Sequence, residues 1–117
     1  MQYLLMIYRN EAEHDAQGET EMKKMTAEYE AFTQSIIASG HFKGADRLRP
    51  VAMATTVRVR DGKILSTDGP FAETREQLGG YYLVEAKDLD EAIGIAARIP
   101  TARVGSIEVR PIWVYNK

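Results

Sequence analysis

Apolar side chains fall on both alternating sets of residues 2 to 8, with Tyr3, Leu5 and Ile7 on one and Leu4, Met6 and Tyr8 on the other. A half-solvated strand alternates apolar with polar positions, so this pattern predicts a central strand covered on both faces. The polar stretch Arg9 to Glu19 reads as a loop. After it Met22, Met25, Tyr29, Phe32 and Ile36 recur at spacings of 3, 4, 3 and 4. That period lays one apolar stripe along a helix, and Gly40 can end it by taking the left-handed conformation without steric cost.

Gly40 to Met53, rich in Gly, Lys, Arg and Pro, reads as a connection. Thr55, Val57 and Val59 then alternate with Thr56, Arg58 and Arg60, the pattern of a half-exposed strand. Asp61-Gly62 predicts a type I′ hairpin turn, which needs positive φ at both central positions, so residues 63 to 67 return as a short strand. Ser66 to Gly80 reads as a loop, and Tyr81-Tyr82-Leu83-Val84 as a strand by its aromatic and β-branched content. Asp88 with Glu91 three residues later resembles a capping box. The second helix it opens turns Leu89, Ala92, Ile93, Ala96 and Ile99 inward and stops at Pro100. A last strand runs through Ile107 and Val109, and Pro111 puts it at an edge or takes it out of the sheet.

The element order is β-α-β-β-α-β with an extra short strand, an α+β ferredoxin-like arrangement in which helices pack on one face of an antiparallel sheet. Two helices cover one face, yet the first strand is apolar on both. Packing two sheets face to face in a symmetric homodimer is the economical cover for the other.

Composition narrows the function. The 117 residues, 44% of them hydrophobic, suffice for one core and one domain spanning 1–117. Fifteen basic against seventeen acidic residues leave a charge of -2, so no bulk attraction to nucleic acid or to an anionic membrane is expected. The absence of cysteine excludes a disulfide framework, a thiolate metal site and a cysteine nucleophile together. Tyr3 to Tyr8 is too short to span a membrane and lacks the features of a signal peptide, so a cytoplasmic location is expected. His14 and His41 stand alone, without His-x-x-x-His spacing, and no metal site is expected. No glycine-rich phosphate-binding sequence implies a nucleotide, and no cofactor is expected.

The segment Thr67-Asp68-Gly69-Pro70-Phe71-Ala72-Glu73-Thr74-Arg75-Glu76-Gln77-Leu78-Gly79-Gly80-Tyr81-Tyr82 resembles the signature of the DGPF branch of the YCII-related family. The resemblance extends over Ala54 to Lys63, Asp90-Glu91-Ala92, Gly105 to Pro111 and the opening strand, nearly the whole chain. It implies a ferredoxin-like fold assembled as a dimeric α/β barrel, with a largely unassigned biochemical role. Physically the motif reads as a rigid turn: Asp68 accepts backbone bonds, Gly69 permits unusual φ, Pro70 fixes its neighbour and Phe71 anchors to the core. Glu73 to Leu78 could add a turn or two of helix that Gly79 stops.

A cleft between sheet and helices would draw its chemistry from this loop and the strands beside it. Asp68 is the candidate base and Tyr82 the candidate acid, with Arg58, Tyr81 and His41 as candidate ligand-binding groups. Each has a plainer role. Asp68 can cap its own turn, Tyr81 and Tyr82 occupy opposite strand faces where one or both can simply pack, Arg58 and Arg60 can solvate a strand, and His41 can interact with the helix dipole. The shorter YciI-like branch of the family looks as if it places a histidine at the start of its first helix. Here that turn offers Met22, Lys23 and Lys24, so a His-Asp dyad does not carry over.

Two functions follow. One is a small-molecule-binding homodimer with cofactor-independent acid-base activity of a lyase or isomerase kind, a monooxygenase-like enzyme being a weaker variant by fold analogy. The other is a non-catalytic regulatory or interaction module, which the family's company with extracytoplasmic-function sigma factors implies.

Overall fold

The computed structural model describes residues 1–115. Its main elements are β1 (Gln2–Arg9), α1 (Glu11–Asp15), α2 (Glu19–Ala38), β2 (Phe42–Arg47), β3 (Thr55–Arg60), β4 (Lys63–Asp68), β5 (Gln77–Glu85), α3 (Leu89–Ala97) and β6 (Ser106–Pro111), with single 3-10 turns at Val51–Met53 and Pro100–Arg103. Four strands form one antiparallel sheet in the order β2-β5-β1-β6. That is the ferredoxin-like order, with β3 and β4 inserted as a separate two-stranded hairpin.

β1 is central, as its two apolar sets require. Tyr3 and Leu5 are buried under the helices while Leu4, Met6 and Tyr8 are half-buried on the other face. The core joins them to Phe32 and Ile36 of α2, Tyr82 and Val84 of β5, and Ala92, Ile95 and Ala96 of α3. Leu5, Ile36, Val84 and Ile99 are wholly buried, and each such side chain contributes about 1.5–3 kcal/mol relative to exposure. Phe32 meets Tyr82 edge to face with ring centroids 5.1 Å apart, a geometry worth about 0.5–1.5 kcal/mol beyond its buried area.

Several local expectations are met. Gly40 has φ 81°, its N–H donates to the Ile37 carbonyl, and the His41 N–H donates to that of Ile36. This pair of bonds is the Schellman ending of a helix. Asp61 and Gly62 have φ 52° and 73°, as a type I′ turn demands. Asp88 Oδ1 accepts the Glu91 N–H at 2.9 Å, and the Glu91 carboxylate reaches back to accept the Lys87 N–H at 3.0 Å.

Other expectations are corrected. Within Gly40 to Met53, Phe42–Arg47 is an edge strand, with Ala45 opposite Tyr82 and Arg47 opposite Gly80. Within Arg9 to Glu19, Asn10 caps the short helix α1 by accepting the Glu13 N–H. Glu73 to Leu78 forms no helix, because β5 already begins at Gln77 and continues through Gly79 and Gly80. Phe71 does not reach the core and stands 81% exposed. In α3 the buried row is Ala92, Ile95 and Ala96, while Leu89 and Ile93 face outward. No helix among the described residues is long and apolar enough to cross a membrane.

Candidate functional site

A cleft of about 530 Å³ opens between the N-terminal half of α2 and the sheet, within the usual size range of small-molecule sites. Its origin lies in side-chain size. Along the core face of β5 the inward positions run Val84, Tyr82, Gly80, with Ala45 of β2 beside Tyr82 and Arg47 beside Gly80. Phe32 and Ile36 pack in the core with Tyr82 and Val84, while Met22, Met25 and Tyr29 line the space that the small Gly80 and Ala45 leave beside Tyr82. Gly80 cannot be enlarged at fixed backbone, since a Cβ there would lie 2.8 Å from the Asp46 carbonyl oxygen.

Ile7, Ala45, Met22, Met25 and the Tyr29 and Tyr82 rings give the cleft an apolar lining, and Arg9, Glu11, His14, Gln17 and Gln77 supply polar groups. The Tyr29 hydroxyl lies 2.6 Å from Thr101 Oγ1 and the Tyr82 hydroxyl 2.7 Å from Thr33 Oγ1. Burial pushes both phenols above their ordinary value, partly offset by those hydroxyl partners. Both therefore stay protonated at neutral pH and can act as hydrogen-bond donors or acids there, not as bases.

The polar end is held in place by α1. The Glu11 N–H donates to Gln77 Oε1 at 2.8 Å, Glu11 Oε2 accepts the Val51 N–H at 3.0 Å, and Asn10 Nδ2 donates to the Arg75 carbonyl at 3.0 Å. These bonds tie α1 to the chain on both sides of the inserted hairpin. Arg9 Nη1 lies 3.3 Å from His14 Nδ1. A guanidinium can only donate, so Nδ1 accepts and the His14 ring proton belongs on Nε2. Two buried polar atoms of the lining have no protein partner among the described residues, Arg9 Nε and Gln17 Oε1. Buried donors and acceptors are rarely left unpaired, because an unmade bond costs about 1–3 kcal/mol.

Of the residues singled out from sequence, Tyr82 is in the cleft wall. Tyr81 lies on the opposite face, where its hydroxyl donates to Asp46 Oδ2 at 2.6 Å and that bond raises its pKa. Asp68 ends β4 opposite Thr55, exposed, and does not line the cleft. Arg58 lies on the exposed hairpin. His41 sits beside α3, with Nδ1 2.6 Å from Ser39 Oγ and Nε2 3.2 Å from Glu91 Oε1. The structure thus separates Tyr82, Asp68 and His41 within the chain. Arg9 and Gln17 were not singled out. Arg9 carried a readable signal, since it continues the inward set Tyr3, Leu5, Ile7 and puts a charge where a fourth apolar residue belongs.

A family model described as the YCII-related domain matches residues 1–116. An uncharacterised protein of Rhizobium meliloti (strain 1021) is 35% identical over 118 residues, covering 99% of this chain and 95% of that relative. With the ferredoxin-like strand order and a match over almost its whole length, the chain belongs to the YCII-related family.

Proposed function

We propose that the protein is a cytoplasmic homodimer that binds a small, largely apolar molecule with one anionic group in the cleft beneath α2. The observation that carries this reading is the buried Nε of Arg9, without a partner among the described residues, at the polar end of a cleft whose other end is apolar. A ligand carboxylate would accept from it, and Gln17 could turn its amide nitrogen toward the same group by rotating its terminal torsion through 180°. The methionines suit ligands of varied outline, because unbranched thioethers repack readily. The homodimer reading draws on Leu4, Met6, Tyr8, Tyr81 and Leu83, an apolar stripe flanked by Glu108 and Arg110 on the sheet face that no helix among the described residues covers.

An acid-base extension assigns Tyr82 as acid and Asp68 as base, with Arg58, Tyr81 and His41 as further ligand contacts. Since none of Asp68, Arg58, Tyr81 and His41 lines the cleft of its own subunit, this version requires a partner subunit to bring its Asp68 and these contacts to the cleft. If Asp68→Asn leaves binding and any detected turnover intact, the extension is refuted. The second reading, an interaction module without catalysis, is favoured by the exposure of every residue of the β3–β4 hairpin strands except Thr56.

The binding reading is tested by thermal shift with benzoate and hexanoate against benzyl alcohol and hexanol. Carboxylates should raise Tm in the wild type and not in Arg9→Gln. A ligand at a hundred times its Kd stabilises by about 2.7 kcal/mol, roughly 11 °C for a domain of this size. No shift with any acid, or equal shifts in the variant, would overturn it.

A further inference from the structure

The β3–β4 hairpin is the part of the molecule that the cleft does not explain. Every residue of β4 is exposed, as is every residue of β3 except Thr56. The bonds at its base, from the Gly69 N–H to the Ala54 carbonyl at 2.7 Å and from Thr56 Oγ1 to the Gly69 carbonyl at 2.8 Å, close the two ends of the hairpin on each other. A two-stranded hairpin standing alone in water is marginally stable at best, so one this regular requires a surface to lie on.

Its two faces differ in chemistry. The pairing of Val57 with Ser66 and Val59 with Ile64 puts Val57, Val59 and Ile64 on one face, where they are 61%, 58% and 77% exposed. Arg58 opposite Leu65 and Arg60 opposite Lys63 make the other face cationic. The chain's shape records the extension. Its radius of gyration is 16.4 Å, where a compact domain of this length has about 13 Å. Its extents are 49 × 48 × 18 Å, so the hairpin projects within the slab instead of folding back over either side. A second slab stacked on the open sheet face would therefore also pass over hairpin surface.

The area such a stack needs points the same way. With strands spaced about 4.8 Å and running about 20 Å, the four-stranded face offers a footprint of about 400 Å² and the hairpin about 200 Å² more. Two sheet faces alone give about 800 Å² in total, the upper end of casual lattice contacts, whereas adding both hairpins brings the total to about 1,200 Å², the lower end of specific interfaces.

We propose that the hairpin is a dimerisation arm, its Val57, Val59 and Ile64 face packing on a second copy of this chain and extending the contact made by the open sheet face. The inference rests on the homodimer reading above and adds to it which element is indispensable. The cationic face remains in water, and the Asp68 to Phe71 turn at the arm's base comes to border the partner.

Sedimentation velocity across a concentration series tests it, using the full chain. The wild type should be dimeric, and Val57→Asp with Ile64→Asp should raise the dimer Kd at least a hundredfold. Val57→Thr with Val59→Thr and Ile64→Thr, which keeps β-branched residues in the strands, should weaken it in the same direction, while Arg58→Glu with Arg60→Glu should not. Amide exchange over residues 57–66 should slow as the wild type is concentrated from monomer to dimer. A double aspartate variant that dimerises like the wild type overturns the arm and leaves the sheet-face dimer standing. Equal weakening by the arginine substitutions overturns the assignment of faces, and a wild type that is monomeric at 100 µM overturns arm and dimer together.

Discussion

Replacing Arg9 by methionine should stabilise the ligand-free protein and disable its cleft, and the two effects can be weighed from the structure. Arg9 Nε is buried without a partner among the described residues, which costs about 1–3 kcal/mol. Against it stands one partly exposed bond from Nη1 to His14 Nδ1 at 3.3 Å, worth about 0.5–1 kcal/mol. Methionine keeps most of the apolar stem and the volume, so little packing is lost. The net gain is about 1 kcal/mol. For 117 residues the entropy of unfolding makes this a rise in Tm of about 4 °C. Carboxylate binding should weaken by about 1.5–3 kcal/mol, a factor of roughly 10 to 150, because a charge-assisted bond is removed. Differential scanning fluorimetry of the free protein and isothermal titration with benzoate read the two quantities separately. A fall in Tm with unchanged acid affinity would show that Arg9 is a structural residue and that the cleft is not built around it.

Three further outcomes follow from positions whose surroundings are well defined. A Cβ at Gly105 would overlap the Tyr8 carbonyl of the central strand and press on Thr101 Cγ2. Gly105→Ala should therefore cost about 3 kcal/mol or more, a fall of at least about 12 °C on the same thermal scale. Gly94 lies mid-way along α3, where an added Cβ would meet nothing within 4 Å, so Gly94→Ala should raise Tm by about 2–4 °C through lost unfolded-state entropy. The Glu91 carboxyl is held below its usual 4.5, first by the Lys87 N–H and then by His41. A depressed carboxylate stabilises the fold above its unfolded value and loses that contribution as pH falls through its folded value. In urea melts, the wild type's advantage over Glu91→Gln should accordingly be present at pH 6 and shrink below about pH 4.5, persistence at pH 3 being the contrary result.

What could be read directly was whatever the chain settles locally. The α2 stripe, the Asp61-Gly62 turn, the Gly40 ending and the Asp88 cap each depend on residues within a turn or two of one another, and each forms as expected. β2 was illegible for the opposite reason. Lys43-Gly44-Ala45-Asp46-Arg47 has neither β-branched residues nor alternation, and it is a strand because β5 offers it a ladder. α1 likewise has no apolar period and exists through its Asn10 cap and the ties of Glu11. In α3 two apolar rows compete, and only the three-dimensional position of the sheet selects Ala92, Ile95 and Ala96 over Leu89 and Ile93.

The same distinction explains why a long, specific motif did not locate a site. Thr67 to Tyr82 is continuous in sequence but divides between two environments, the exposed base of the hairpin at Asp68 and the buried floor of the cleft at Gly80 and Tyr82. The part that shapes the cleft does so by absence: Gly80 brings β2 close and leaves room above it, which no reading of functional side chains would notice. The group that gives the cleft its polarity, Arg9, lies far earlier in the chain on β1 and is paired with Gln77 across the ladder. Asp68 can join that chemistry only if the arm of one subunit reaches past the open sheet face to the edge of the partner's cleft. In this chain, then, dimerisation and acid-base chemistry are linked hypotheses. A variant that dissociates the dimer while leaving each subunit folded should retain the Arg9-dependent affinity for an acid and lose any turnover, because the base would have left while the anchor remained.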